Sequence, residues 1–455
     1  MMLDLLVRGG TLADGRTDID IAVQDGRIVE MRPAIAASAT REIDASGHLV
    51  SAPFVDAHFH LDATLALGFE GCHNESGTLA EGIRIWNAIR GAIPADDFRR
   101  RALAYCDLAV SQGLLAIRSH VDVTDPKLTS VEVLLDVKRA VAPYLDLQLV
   151  AFPQMGYFAG PETAGNLKRA LDMGVDVVGG IPHLEPTMEL GRQSVTALLT
   201  IAAERGLMAD LHCDENDDPM SRHIEQLAYE TKRLGLQGRA AGSHLTSMHS
   251  MDNFYAARLI TMMADADVPV IANPLANMFL QGRFDTYPKR RGLTRIPELM
   301  AAGCTVAAGH DSMLDPWYPL GRADMLDVAF MTVHAAHLSS HAGMRDCFRL
   351  VTELPAKIMG LEGYGLAVGN PADIVVLQAA DLVEAIRLRP ARLAVIRRGK
   401  VIAETARVTS RLMLPGRPES VDSFAVTAGA RCTRPPSTSA GAPLAEGRRA
   451  SSSSR

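Results

Sequence analysis

The sequence predicts an α/β fold: a TIM-type (β/α)8 barrel with a small β-sandwich formed by both chain ends. Three observations predict it. Eight short apolar segments, each a candidate strand, end near His58, His120, Phe152, Gly180, His212, His244, Asn273 and Gly309. Each is followed by a loop and a helix-like stretch, such as 193–204 or 251–264, and this alternation is that of a parallel barrel. The two chain ends carry short strands separated by turn residues instead, and the polar residues of the middle gather at strand ends, the face on which such barrels do chemistry.

Taken in order, residues 1–50 hold strands over 5–8, 20–23 and 27–29, with Gly9-Gly10 and Asp25-Gly26 as turn signals between them. A matching pattern returns over 373–377, 393–396 and 398–402. Segments 1–50 and 363–412 are therefore expected to build one sandwich, with the barrel, 51–362, inserted between them. From 413 to 455 the composition shifts to Ser, Pro, Gly, Ala and Arg, ending Arg448-Arg449-Ala450-Ser451 and three further serines before Arg455. That composition predicts a low-complexity, disordered tail.

At 455 residues the chain exceeds what one small core organises. Hydrophobic residues make up 47% and aromatic ones only 5%, which suits an Ala/Leu/Val-rich α/β protein better than an aromatic binding surface. The net charge of −7 and the lack of a long basic stripe before the tail argue against a nucleic acid polymer as partner. Cys72, Cys106, Cys213, Cys304, Cys347 and Cys432 are scattered without a CxxC pair, as in a reduced, cytoplasmic protein. The N-terminal residues lack a signal-peptide layout, and no apolar run is long enough to span a membrane.

The first barrel strand reads Val55-Asp56-Ala57-His58-Phe59-His60. Alternate residues of a strand share a face, so His58 and His60 project together from its end. A lone pair of this kind is more often structural than metal-binding. His212 at the end of the fifth strand and Asp311 after the eighth change the balance. Three imidazoles and one carboxylate suit Zn(II) or Fe(II), and a position left open for water makes such a site catalytic.

Several segments carry a resemblance to the amidohydrolase superfamily, and within it to the bacterial cytosine deaminases of the TIM-barrel type. They are 53–62, Ser76-Gly77-Thr78-Leu79, 150–154, Gly180-Ile181-Pro182-His183, His212-Cys213-Asp214-Glu215 and Ser243-His244. The longest are 280–292, beginning Leu280-Gln281-Gly282-Arg283, and Gly309-His310-Asp311 with 315–321 around Trp317. The resemblance runs from about residue 5 to 405. It implies a barrel with a two-ended sandwich, and one divalent metal held by His58, His60, His212 and Asp311. Relatives with two metals use a modified lysine on a middle strand, where this chain offers Gln154. The resemblance further implies a homo-oligomer and a small-molecule pyrimidine base as substrate, within base salvage.

Hydrolysis at C4 of a cytosine ring needs an acid at N3. Glu215, three residues past His212, is assigned to protonate N3 and then the departing ammonia. Asp311 accepts the proton of the attacking water, and His244 orients that water. The resemblance implies the same roles, with Gln154 and the backbone of Leu79 reading the polar edge of the base; an amide supplies both donor and acceptor. Trp317 and Phe152 are expected to wall the pocket. The sequence departs from its relatives at Ser312, where these deaminases usually carry a second aspartate facing C5. Serine removes a charge that would face a methyl group, which predicts turnover of 5-methylcytosine to thymine at least as well as cytosine to uracil. The competing readings are deamination of isoguanine, an s-triazine or a creatinine-like ring on the same scaffold, and a barrel without metal or catalysis. Base deaminases of the HxE/PCxxC type are excluded, since the chain has no PCxxC.

Overall fold

The computed structural model describes residues 2–422 together with residues 424 and 426. Five strands precede the barrel: β1 (Leu3–Leu12), β2 (Ile19–Gln24), β3 (Arg27–Arg32), β4 (Ala39–Asp44) and β5 (Leu49–Ser51). Asp25 and Gly26, both at positive φ, turn β2 into β3 as the sequence predicts. Gly9 and Gly10 do not end a strand. They lie within β1 where its register against β2 shifts, and the strand passes from pairing with β4 to pairing with β5. A Cβ on Gly10 would stand 2.4 Å from Val50 Cγ2, so this bend requires glycine. β4 and β5 are additions to the expected strands. β4 is largely exposed and polar, and β5 has three residues, so neither carries a readable alternation.

The barrel strands are β6 (Phe54–Phe59), β7 (Leu114–Asp122), β8 (Asp146–Phe152), β9 (Val177–Gly180), β10 (Met208–Cys213), β11 (Ala240–His244), β12 (Val270–Ala272) and β13 (Val306–Ala308). They pair in parallel and in sequence order. Asp311 closes the ring: its backbone N–H donates to the His58 carbonyl at 2.9 Å, and it bridges Phe59. Gly309 makes this approach feasible, since a Cβ there would lie 2.9 Å from His58 Cβ and 2.5 Å from Asn273 Oδ1.

Helices α1 (Leu79–Ile89) and α2 (Ala95–Ser111) follow β6. α3 (Thr129–Val141), α4 (Thr163–Asp172), α5 (Met188–Arg205), α6 (His223–Arg233) and α7 (Asn253–Asp265) each link two neighbouring strands. α8 (Pro274–Leu280) and α9 (Ile296–Ala301) follow β12; α10 (Met325–Ala335), α11 (His341–Arg349) and α12 (Glu353–Ile358) follow β13. Their limits are locally encoded. The Thr187 hydroxyl accepts from Leu190 N–H to start α5, and Gly206 at φ 66° ends it. Leu, Val and Ala from strands and helices form one continuous core between the two layers. Inside the barrel, Val55, Ala57, Ala116 and Ala307 pack against Ile358 and Met359 of the α12 segment.

After the barrel, β14 (Ile374–Leu377), α13 (Leu382–Leu388), β15 (Arg392–Arg397) and β16 (Lys400–Glu404) complete the terminal sheet, in the order β16-β15-β14-β5-β1-β2-β3. Val7, Ile21 and Ile28 from one chain end share an apolar cluster with Ile374, Val376 and Ile396 from the other. A second unit begins at Val408. The segment expected to be disordered from 413 contains, in its described part, one strand of a hairpin. β17 (Ser410–Arg411) pairs antiparallel with β18 (Ser420–Val421), and Gly416 between them lies at φ 71°. The rest of that expected tail, 423, 425 and 427–455, lies outside the described residues. Cys72, Cys106, Cys213, Cys304 and Cys347 are free and buried, and Cys432 is outside the described residues. Among the described residues no helix is long and apolar enough to cross a membrane.

Candidate active site

The C-terminal mouth of the barrel brings the expected donors together. His58 lies in β6, His60 just beyond it, His212 in β10, and Asp311 three residues past β13. His60 Nε2 faces His212 Nε2 at 3.1 Å. Asp311 Oδ1 stands 3.4 Å from His58 Nε2 and 3.5 Å from His60 Nε2. His58 Nε2 is buried without a hydrogen-bond partner. A buried polar atom without a partner costs about 1–3 kcal/mol, and both ring nitrogens of neighbouring His120 are also buried without one. This is the arrangement a cation resolves, and three imidazoles with one carboxylate fit a divalent ion of the Zn(II) or Fe(II) kind.

Burial pushes the pKa of His58, His60, His212 and His244 well below the ordinary imidazole value, so all four are neutral and able to ligate or hydrogen-bond as bases. Burial pushes the Asp311 carboxyl well up, with the Glu215 carboxyl next in effect. Burial also raises Glu215, to about 8. Two carboxyls in one dry pocket cannot both ionise cheaply. A cation held by the histidines would favour charge on Asp311, which stands 3.4 Å and 3.5 Å from two of them, and would leave the proton on Glu215.

Backbone conformation aims these groups. Asp214, His244 and Asp311 take positive φ of 53°, 71° and 71° without being glycine, the kind of strain that clusters at functional sites. Asp214 is locked by four hydrogen bonds: its carboxylate accepts from Ser221 Oγ (2.8 Å), the N–H groups of His223 (3.0 Å) and Ile224 (2.9 Å), and His223 Nδ1 (2.7 Å). The left-handed turn at Asp214 then returns Glu215 to the cavity. His244 Nδ1 lies 2.9 Å from Asn277 Nδ2 and 3.4 Å from Glu215 Oε1. Asn277 Oδ1 already accepts from Asn273 N–H at 3.2 Å. Its amide therefore donates to His244 Nδ1.

The cavity over this cluster is lined by Leu79, Gln154, Glu215, His244, Ser312 and Trp317, among others, and spans about 350 Å³ including solvent at its mouth. α1 forms one wall through Leu79 and Ile83, one helical turn apart. A Cβ on Gly82 would lie 2.5 Å from Trp317 Cδ1, so only glycine lets the indole press against this helix. Ser312 is buried and interacts with the carboxyl of Asp315, which also accepts from Trp317 and Tyr318 N–H at 2.9 Å each.

Phe152 stands apart from the other expected wall residues. It is absent from the cavity lining, and its ring stacks on His212 with centroids 4.2 Å apart, so it braces that imidazole. Reasoning from sequence missed Ile83, Ile181 and Leu280, which also line the cavity, and the buried polar set Arg118, Asp210 and Ser243 beneath it. A signal existed for two of them: Arg118 and Asp210 each precede a strand-end histidine by two positions, and so share its face. His120 is buried among the clustered histidine rings, 4.2 Å from His58 between centroids.

The sequence from residue 41 to 408 matches the model of the amidohydrolase family. The chain belongs to this family. A solved structure, 5-methylcytosine deaminase from Klebsiella pneumoniae liganded with 5-fluorocytosine, is similar at 40% identity and a TM-score of 0.87, covering 90% of this chain and 100% of that one. Pterin deaminase of Rhizobium rhizogenes is 31% identical over 398 residues, 86% of this chain and 90% of that protein. N-isopropylammelide isopropyl amidohydrolase of a Pseudomonas species is 27% identical over 412 residues, 88% and 97% of the two. This amidohydrolase is thus a hydrolase of C–N bonds, of the deaminase type, with a histidine cluster that fits a divalent metal.

Proposed function

We propose that this amidohydrolase deaminates free 5-methylcytosine to thymine and ammonia, with cytosine to uracil as the lesser reaction. The observation that carries the reading is Ser312 in the cavity wall beside Asp311. Burying a methyl group gains about 0.8 kcal/mol, and a buried carboxylate facing it would oppose that gain with its own desolvation. Serine removes the opposition. The likeness to the Klebsiella 5-methylcytosine deaminase supports the same substrate.

A divalent ion held by His58, His60, His212 and Asp311 would supply Lewis acidity and make water nucleophilic at neutral pH. The remaining work falls to the protein. His244 orients the attacking water over C4. Asp311 accepts the proton that water loses. Glu215, held neutral by burial, protonates N3 as the ring becomes tetrahedral. When the C4–N4 bond breaks, Glu215 takes the C4 hydroxyl proton as the carbonyl forms and passes it to the amine, which leaves as ammonia; Asp311 then returns its proton to Glu215. Gln154 and the Leu79 backbone read the remaining polar edge, and Trp317 covers one face.

The pterin and N-isopropylammelide relatives set the competing substrates. A panel of 5-methylcytosine, cytosine, isoguanine, pterin and N-isopropylammelide, assayed for amine or ammonia release by the metal-loaded protein, tests the reading. 5-Methylcytosine should have the highest kcat/KM; preference for pterin or the triazine would reassign the substrate.

A further inference from the structure

We propose that Ser243, held by Asp210 and Arg118, is a positioning residue that decides which nitrogen of His58 carries the proton, and so keeps Nε2 free for the metal ion. The inference rests on the metal centre and not on the identity of the substrate.

The four side chains form one buried chain of hydrogen bonds. Arg118 NH1 donates to Asp210 Oδ2 at 3.3 Å, Ser243 Oγ donates to Asp210 Oδ1 at 2.6 Å, and His58 Nδ1 lies 3.0 Å from Ser243 Oγ. Each of the four is at most 1% exposed. The sense of the chain follows from donor arithmetic. A guanidinium can only donate, and an ionised carboxylate can only accept. Ser243 has one O–H, which is committed to Asp210. Its oxygen can therefore only accept from His58, so Nδ1 carries the His58 proton and Nε2 keeps its lone pair. That lone pair points at Asp311 and the other donors. A metal-binding imidazole needs this second contact to fix its tautomer.

Arg118 anchors the far end. Its other N–H groups donate to Gln148 Oε1 at 3.2 and 3.1 Å and to the Ile358 carbonyl at 3.2 Å. The register of the barrel places the parts: Asp210 lies two residues before His212 on β10, and Ser243 pairs with His212 across β10 and β11. The β-strand pattern that presents the histidines at the mouth thus also sets Ser243 level with His212 and Asp210 one layer below it.

The test is Zn(II) affinity of the full-length protein, by competition with a chromophoric chelator, together with the absorption spectrum of the Co(II)-loaded form. Ser243→Ala should weaken Zn(II) binding by about 10- to 100-fold and alter the Co(II) bands, while Ser243→Thr, which keeps the hydroxyl, restores both. Asp210→Asn should be worse than Ser243→Ala. An asparagine amide can donate to Ser243, which reverses the chain and moves the His58 proton to Nε2. Thermal melts separate these effects from unfolding; should Ser243→Ala not fold, Asp210→Asn decides alone. Affinity and spectrum of the folded variants equal to the parent's would overturn the proposal. A parent protein that binds Zn(II) no better than His58→Ala would overturn the metal centre itself, and this inference with it.

Discussion

His60 and His212 stand 152 positions apart in the chain, yet their Nε2 atoms face each other at 3.1 Å. A hydrogen bond between the two rings would leave the buried Nε2 of His58 without a partner. A shared cation accounts for all three and for Asp311 beside them. Replacing either His60 or His212 by alanine should therefore abolish tight metal binding. Metal analysis after dialysis should give less than about a tenth of an equivalent, with affinity down by more than about 100-fold. Full retention of metal in His212→Ala would contradict this donor set.

In the proposed reaction Glu215 is the acid. Glu215→Gln keeps the shape and the neutral state but cannot deliver a proton. Its kcat should fall by about 10² to 10⁴, while metal content and melting temperature stay near those of the parent. A smaller loss than tenfold would move the acid role elsewhere.

The pH profile follows from the same carboxyl. Burial raises Glu215 to about 8, so the proton-donating form dominates at neutral pH and is lost as pH rises through that value. The rate with saturating metal should be level towards neutral pH and fall about tenfold per unit on the alkaline side of about pH 8. A rate level to pH 10 would show that no acid of this pKa is required.

Ser312→Asp should reverse the substrate preference. The added carboxylate would meet the C5 methyl group in a buried wall, and discrimination over one methyl runs to about 10- to 200-fold in such pockets. The ratio of kcat/KM for 5-methylcytosine over cytosine should drop by at least about tenfold, mainly through loss on the methylated base. An unchanged ratio would remove Ser312 from specificity.

Gly82→Ala tests the contact between α1 and Trp317. The new methyl would collide with the indole at 2.5 Å, and overpacking of this kind costs about 1–3 kcal/mol. Because Trp317 lines the cavity, KM should rise more than kcat falls. A variant with parental KM and stability would mean that the indole has room to move.

Much of the fold and of the metal cluster was legible in the sequence because both rest on local periodicity. The eight barrel strands end where apolar runs end in polar residues, and His58, His60, His212 and Asp311 sit at those ends. What was not legible depends on distance in space. The pairing of Ser243 with His58 joins two strands 185 residues apart, and no local pattern announces it. Phe152 is apolar and at a strand end, which fits a cavity wall as well as it fits stacking on His212; only the ring geometry separates the two. Gly9-Gly10 looks like any turn, and becomes a bend in one strand because Val50 packs against it.

The most direct measurement is the pair of kcat/KM values for 5-methylcytosine and cytosine, with thymine and uracil identified as products of the metal-loaded protein. Stoichiometric thymine and ammonia are expected, with a kcat/KM for 5-methylcytosine above that for cytosine. Faster turnover of cytosine, or no turnover of either base by protein with metal bound, would contradict the proposed function.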